Sequence, residues 1–111
     1  MAIVVASGIY TCVANTKSAD LVSGTYQFIG KGKITLCAKA SATAPNITCV
    51  CGGIALVNDN KVPFTGTAGT ISVNDNVMCS QVVNGGRIEL YIREVTGGTP
   101  TCDYLLLFEP L

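Results

Sequence analysis

Short runs of β-branched, aromatic and other apolar residues are separated by turn-forming residues along the whole chain. Val, Ile, Thr and Tyr favour strands, whereas the Gly, Asn, Asp, Ser and Pro between the runs favour turns. No stretch keeps the apolar spacing of an amphipathic helix over three turns. The pattern therefore predicts an all-β protein with strands at Ile3–Ala6, Ile9–Ala14, Thr25–Ile29, Ile34–Ala40, Ile47–Cys51, Ile54–Val57, Lys61–Phe64, Thr70–Val73, Val77–Val83, Arg87–Glu94 and Asp103–Phe108.

Alternation within these runs predicts which faces are buried. Ile88, Leu90 and Ile92 fall on one face of their strand, and charged residues on either side of them fall on the other. The run from Lys33 to Lys39 alternates in the same way, with Ile34, Leu36 and Ala38 on its apolar face. Residues 104–108 are apolar on both faces, which predicts a central strand or one that packs against a neighbouring subunit.

Turn signals divide the chain at close spacing. Glycine pairs at 52–53, 85–86 and 97–98 are typical of tight turns, and Asn-Asp-Asn occurs at 58–60 and again at 74–76. We interpret both copies as turns that end strands. We predict a single β-sandwich domain over residues 1–111, of jelly-roll type, with eight to ten short strands. An immunoglobulin-like sandwich fits less well because the chain has no Trp.

Composition indicates that much of the surface faces other protein. The chain is 49% hydrophobic, its mean hydropathy is +0.47, and only 13% of its residues are charged, about half of the ~25% usual for soluble domains. Seven basic and seven acidic residues give a net charge of zero and are scattered. Without a basic patch we expect no nucleic-acid binding. The first residues lack a positive region and a long apolar run, so we expect neither an export signal nor a membrane segment.

Six cysteines leave three interpretations open. They are free thiols that pack as small core residues, or they form disulfides, or some of them bind a metal. The last interpretation is the weakest, because the only close pair is a C-x-C and the chain has no His. The residues concerned are Cys12, Cys37, Cys49, Cys51, Cys79 and Cys102.

Catalysis is not expected, because the commonest general base is missing and the carboxylates are dispersed. We expect no cofactor. The Asn-Asp-Asn segments supply too few oxygens for calcium, and turn formation alone explains them. Core packing accounts for most aromatic residues, including Tyr26 and Phe28, which share a strand face. Tyr91 lies among charged residues and is the expected exposed aromatic, the one weak sign of a sugar site.

A Gly-led pair of strands over residues 24–40, an alternating strand after Gly-Gly at 85–93 and a closing strand from Tyr104 to Pro110 resemble small viral structural proteins. These are single jelly-roll capsid or capsid-decoration subunits. The resemblance implies a virion protein, made in the host cytoplasm, whose partners are copies of itself and other shell proteins. RNA-packaging coat proteins often add a basic N-terminal arm, which this sequence lacks, so the resemblance favours a subunit that does not touch the genome.

Two functions follow as hypotheses. The first is a structural subunit that self-associates into a homo-oligomer. The expected subunit contacts lie in the apolar first and last strands, at Ile3, Val4, Val5, Leu105 and Leu107. The alternative is a small β-sandwich binding or adhesion module for carbohydrate or a surface protein. Its site would lie in the loops at Gly66–Gly69 and Gly97–Thr101.

Overall fold

The computed structural model describes residues 3–22, 24, 27–40, 45–62 and 77–111. These residues form strands and no α-helix, which confirms the prediction of an all-β protein. The eight strands are β1 (Ile3–Thr11), β2 (Phe28–Ile29), β3 (Gly32–Ala40), β4 (Asn46–Cys51), β5 (Ile54–Lys61), β6 (Val77–Val83), β7 (Gly86–Arg93) and β8 (Thr101–Pro110).

The strands form two four-stranded antiparallel sheets. Sheet 1 has the order β1-β8-β3-β6, and sheet 2 has the order β2-β7-β4-β5. The first strand pairs with the last, the second with the seventh, the third with the sixth and the fourth with the fifth. The chain is thus arranged as one long hairpin folded over into two layers, and the β-sandwich prediction is confirmed.

The core lies between the two sheets and is built from the alternating faces that the sequence predicts. Ile88, Leu90 and Ile92 of β7 are fully buried. Ile34 and Leu36 of β3 are also fully buried and belong to the same apolar cluster. Burial of one such side chain contributes about 1.5–3 kcal/mol, so these two strands anchor the sandwich.

β8 is an interior strand, as its two apolar faces predict. It lies between β1 and β3, and its Leu106 is aligned with Ala6 on one side and with Leu36 on the other. Leu106 and Phe108 point into the core, whereas Leu105 and Leu107 alternate onto the outer face of sheet 1. Placing this strand centrally hides most of its apolar surface within the chain itself.

The turn between β4 and β5 requires glycine. Gly52 and Gly53 have φ angles of 60° and 83°, the left-handed values of the tightest hairpins. A Cβ on Gly52 would lie 2.8 Å from the carbonyl oxygen of Gly85, and the Gly52 N–H donates to the carbonyl oxygen of Arg87 at 2.9 Å. The hairpin therefore packs its backbone directly against the start of β7.

Three local predictions are wrong. Ser7-Gly8 does not end a strand, because both residues pair with β8 and β1 runs on to Thr11. Asn58–Asn60 is not a turn, because two residues of β5 there oppose Thr48 of β4 and form a bulge within a continuous strand. Phe28 is not a core residue, because it is aligned with Arg87 on the solvated face of sheet 2 and is 68% exposed.

Other predicted features fall at least partly outside the described residues. They are the strand Thr70–Val73, the end of the strand Lys61–Phe64, the start of the strand Thr25–Ile29, the second Asn-Asp-Asn segment at 74–76, the loop Gly66–Gly69 and Tyr26.

Candidate functional site

The two edges of sheet 1 carry no charge. β1 (sequence IVVASGIYT) and β6 (sequence VMCSQVV) contain neither a charged residue nor a proline. Among the described strands, each pairs on one side only, β1 with β8 and β6 with β3. Their other sides present backbone N–H and C=O groups, a template for pairing with another chain unless charge, proline or distortion blocks it. Each strand has one register shift, and its own sequence adds neither charge nor proline.

The edges of sheet 2 differ from those of sheet 1. β2 is only two residues long. β5 carries Asp59 and Lys61, and the bulge at residues 58 and 59 distorts it. Short length, charge and bulges are the usual devices that prevent edge-to-edge association. Among the described strands, both edges of sheet 2 therefore carry such a device, whereas the edges of sheet 1 are uncharged.

Exposed apolar side chains follow the same two edges of sheet 1. Val4 and Ile9 on β1 are 52% and 61% exposed, and Val77 and Val82 on β6 are 48% and 53% exposed. Val4 is aligned with Leu107 of β8, so it extends the outer face of sheet 1 to the edge. A partner strand added at either edge would cover apolar side chains and pair the backbone at the same time.

The predicted subunit contacts have different environments in the structure. Val4 is exposed, and Ile3 and Leu105 are half-buried. Val5 belongs to the core, because the register shift between Val4 and Ala6 lets it point inward. Leu107 is also buried, with 9% exposure. Val5 and Leu107 are thus largely covered within the single chain, and Val4 is the most exposed of the five predicted contact residues.

A hollow of about 320 Å³ lies beside β6, where the edges of the two sheets meet. Ile54 and Leu56 of β5 and Val82 of β6 supply its apolar lining. Ile54 is 67% exposed. The sequence analysis did not select Val77, Val82 or Ile54, although the uncharged run from residue 77 to 83 is a visible signal of an unprotected edge.

All six cysteines are free thiols, and five of them are buried. Strand register explains why nearby cysteines do not pair. Cys102 is aligned with Tyr10, and the Cys12 N–H donates to the carbonyl oxygen of Pro100, so Cys12 and Cys102 are diagonal neighbours. Diagonal positions are about 7–8 Å apart, wider than a disulfide normally spans. Cys37 and Cys79 lie on paired strands but on opposite faces.

Burial also suppresses thiol reactivity. Loss of solvation raises the pKa of Cys49 to about 12 and that of Cys102 to about 12. Half-buried Cys79 also has a raised pKa, with burial as the main cause. Since the thiolate is the reactive form, Cys49 and Cys102 act as core side chains rather than as nucleophiles. In the described ranges, no three His, Cys, Asp or Glu side chains are grouped as a metal site.

A polar basin of about 230 Å³ lies on the outer face of sheet 2. Arg93 donates from Nε to Oδ1 of Asp59 at 3.1 Å, and a second bond joins its Nη2 to Oδ2. This pairing lowers the pKa of Asp59. The Lys17 ammonium lies 4.3 Å from the ring centroid of Tyr91. The lining residues, which we call the polar basin, are Lys17, Thr48, Asn58, Asp59, Tyr91 and Arg93.

Tyr91, the predicted exposed aromatic, is half-buried in this basin. Its hydroxyl donates to Oε1 of Glu89 at 2.7 Å, which raises its pKa, and the Lys17 ammonium covers one ring face. Its ring is therefore less available for sugar stacking than the sequence suggests. Local sequence patterns do not bring the other basin residues together, because these residues come from distant segments of the chain. Only Asn58 and Asp59 belong to a motif that the sequence shows, the Asn-Asp-Asn segment.

A search for known proteins similar to this chain finds no matching family model, curated protein or solved structure. In the part of the chain that the structure describes, no helix has the length and apolar character needed to cross a membrane.

Proposed function

We propose that this protein is a structural subunit that self-associates through the edge strands of sheet 1, as the shell or decoration protein of a virus particle. The observation that carries the proposal is the contrast between uncharged edges on sheet 1 and short or charged edges on sheet 2. A protein selected to remain monomeric gains nothing from leaving both edges of one sheet open.

The strand order supports the viral assignment. Eight strands in the orders β1-β8-β3-β6 and β2-β7-β4-β5 fit a folded hairpin of the jelly-roll type. We therefore propose the jelly roll as the finer description of this sandwich. It is the fold of the viral structural proteins that the sequence resembles.

Composition gives independent support. Only 13% of the residues are charged, and nine large apolar side chains among the described residues remain exposed in the single chain. Two of them lie on β1 and two on β6. Adding a partner strand at these edges buries apolar surface and satisfies backbone groups, the two terms that drive β-strand association.

Charged substitutions at the two edges test the proposal. The double variant V4K/V82K places Lys on β1 and β6, at exposed positions where it does not disturb the core. Val13→Lys is the matched control, because Val13 is similarly exposed at 56% but lies outside the strands. We expect the wild type and V13K to assemble at micromolar concentration and V4K/V82K to be a folded monomer by light scattering.

Two results would count against this mode of association. Retention of the assembly by V4K/V82K would place the interface elsewhere on the surface. Equal disruption by V13K would mean that added charge, rather than its position on an edge, weakens the assembly. Circular dichroism of each variant shows whether the β fold is retained.

A further inference from the structure

The polar basin on sheet 2 offers more hydrogen-bond donors than acceptors. Arg93 donates two of its N–H groups to Asp59, and its other N–H groups make no side-chain bond to a residue that the structure describes. Thr48 Oγ1 accepts from the Asp59 N–H at 3.0 Å, so its own O–H is left to donate. The Asn58 side chain adds an amide that both donates and accepts. A matching ligand must bring several acceptor oxygens.

Lys17 supplies a second positive charge to the basin, close enough to Asp59 for the two charges to interact. Among the described residues, its Nζ makes no salt bridge and instead lies over the Tyr91 ring. An isolated bridge between the backbones of Lys17 and Arg93 holds the two cations on the same side of the basin. Among the residues that line the basin, Lys17 and Arg93 against Asp59 leave an excess of one positive charge, which favours an anionic ligand. Glu89 lies outside this lining, where it is bonded to the Tyr91 hydroxyl.

The basin is preorganised rather than a chance gathering of long side chains. Asp59 sits in the bulge of β5 with a φ of 53°, and its backbone N–H is fixed by Thr48. Its carboxylate is held by two bonds from Arg93, a geometry that orders both partners. Thr48 and Tyr91 are aligned across β4 and β7 and form the floor. Such order reduces the entropy lost on binding.

We propose that the polar basin binds one anionic sugar residue, whose acidic group contacts Lys17 and Arg93 and whose hydroxyls contact Asp59, Asn58 and Thr48. The acidic group of the sugar would balance the excess positive charge of the residues that line the basin. The sugar hydroxyls would donate hydrogen bonds to the Asp59 carboxylate and to the Asn58 amide oxygen. A simple inorganic anion has no donors and would leave both acceptors without a partner. A volume of about 230 Å³ suits a single sugar ring rather than an oligosaccharide.

This inference goes beyond assembly and does not depend on it. The basin opens on the outer face of sheet 2, and its floor is formed by the interior strands β4 and β7. Association through the edges of sheet 1 leaves that face uncovered. Sugar binding and assembly are therefore separate measurements, and either can fail alone.

Ligand-observed NMR titrations of the 111-residue chain, in whatever assembly it adopts, test the proposal. The probes are 3′-sialyllactose for a carboxylate, galactose 6-sulfate for a sulfate, neutral lactose, and sodium acetate and sodium sulfate as bare ions. We expect saturable binding of at least one anionic sugar, with lactose and the bare ions at least about tenfold weaker. The better of the two sugar probes identifies the acidic group.

Lys17→Gln should weaken anionic sugar binding at least about fivefold. Lys33→Gln, which removes the same charge from an exposed site on β3 of the other sheet, should have no effect. Native mass should be unchanged in both variants. The proposal is overturned if neither anionic sugar binds saturably, if K17Q binds as the wild type does, or if lactose or a bare ion binds equally well.

Discussion

At the scale of single residues, Glu94 is the side chain most altered by its surroundings. It is 1% exposed and accepts bonds from the backbone N–H groups of Asn15, Thr96 and Gly97 at 2.8–2.9 Å, and from the Thr96 hydroxyl. These bonds, the one from Asn15 foremost, lower its pKa from 4.5 to about 2. The carboxylate joins the segment after β1 to the loop between β7 and β8.

Glu94→Gln should lower the melting temperature at pH 7 by at least about 5 °C, because an amide NH₂ would then face backbone donors. The folded pKa lies below the ordinary value, so the stabilisation is complete above about pH 4.5 and is lost as the pH falls toward 2. The difference in melting temperature between Glu94→Gln and the wild type should therefore become smaller as the pH falls from about 4.5 toward 2. Glu109→Gln, at an exposed position on β8, is the control. A difference in melting temperature that stays constant down to pH 2 would contradict the stabilising role of the ionised Glu94 carboxylate.

The cysteines should behave as buried side chains. With a thiol-reactive dye at pH 7, we expect at most one thiol to react quickly in the native protein, and all six after unfolding. Half-buried Cys79 on β6 is the one expected to react. Cys79→Ser should abolish the fast phase, whereas Cys102→Ser should leave it intact. Several fast thiols in the native protein would contradict the buried arrangement.

At the scale of elements, sheet 2 depends on a turn whose two glycines have different surroundings. Both have positive φ, so Ala at either position costs about 1–2 kcal/mol in backbone strain. A Cβ on Gly52 meets the Gly85 carbonyl oxygen at 2.8 Å, whereas a Cβ on Gly53 meets nothing within 4 Å. The β4–β5 hairpin and the start of β7 thus share one close contact.

Gly52→Ala should therefore destabilise the protein more than Gly53→Ala, by about 1 kcal/mol or more, because overpacking adds to the shared strain. Urea denaturation of the two variants measures the difference directly. Equal free energies of unfolding would mean that the backbones of the hairpin and β7 can separate without cost.

Sequence predicted the elements well where a single strand decides its own pattern. The bounds of β6 match the predicted Val77–Val83, and the buried face of β7 is the one that alternation selects. Features that depend on a distant strand were missed. Phe28 is exposed because of its alignment with Arg87, and the pairing of Asp59 with Arg93 spans 34 positions along the chain. Local patterns carry no information about such partners.

At the scale of the whole molecule, the arrangement of the sheets explains where a chain with 49% hydrophobic and only 13% charged residues places its apolar side chains. The core and the interior strand β8 take up much of the apolar sequence, and exposed apolar side chains remain at both edges of sheet 1. Sheet 2 has one two-residue edge and one charged edge, each with an exposed apolar side chain (Phe28 and Ile54), and a polar basin. The two sheets therefore differ in the length and charge of their edges and in the polar basin that one of them carries.

The most direct test of self-association is the native mass of the purified protein over a range of micromolar concentrations, with and without reductant. We expect a discrete assembly many times the 11.5 kDa of one chain, unchanged by reductant because all six cysteines are free thiols and five of them are buried. A single species of 11.5 kDa at every concentration would contradict the central claim that the open edges of sheet 1 build an assembly.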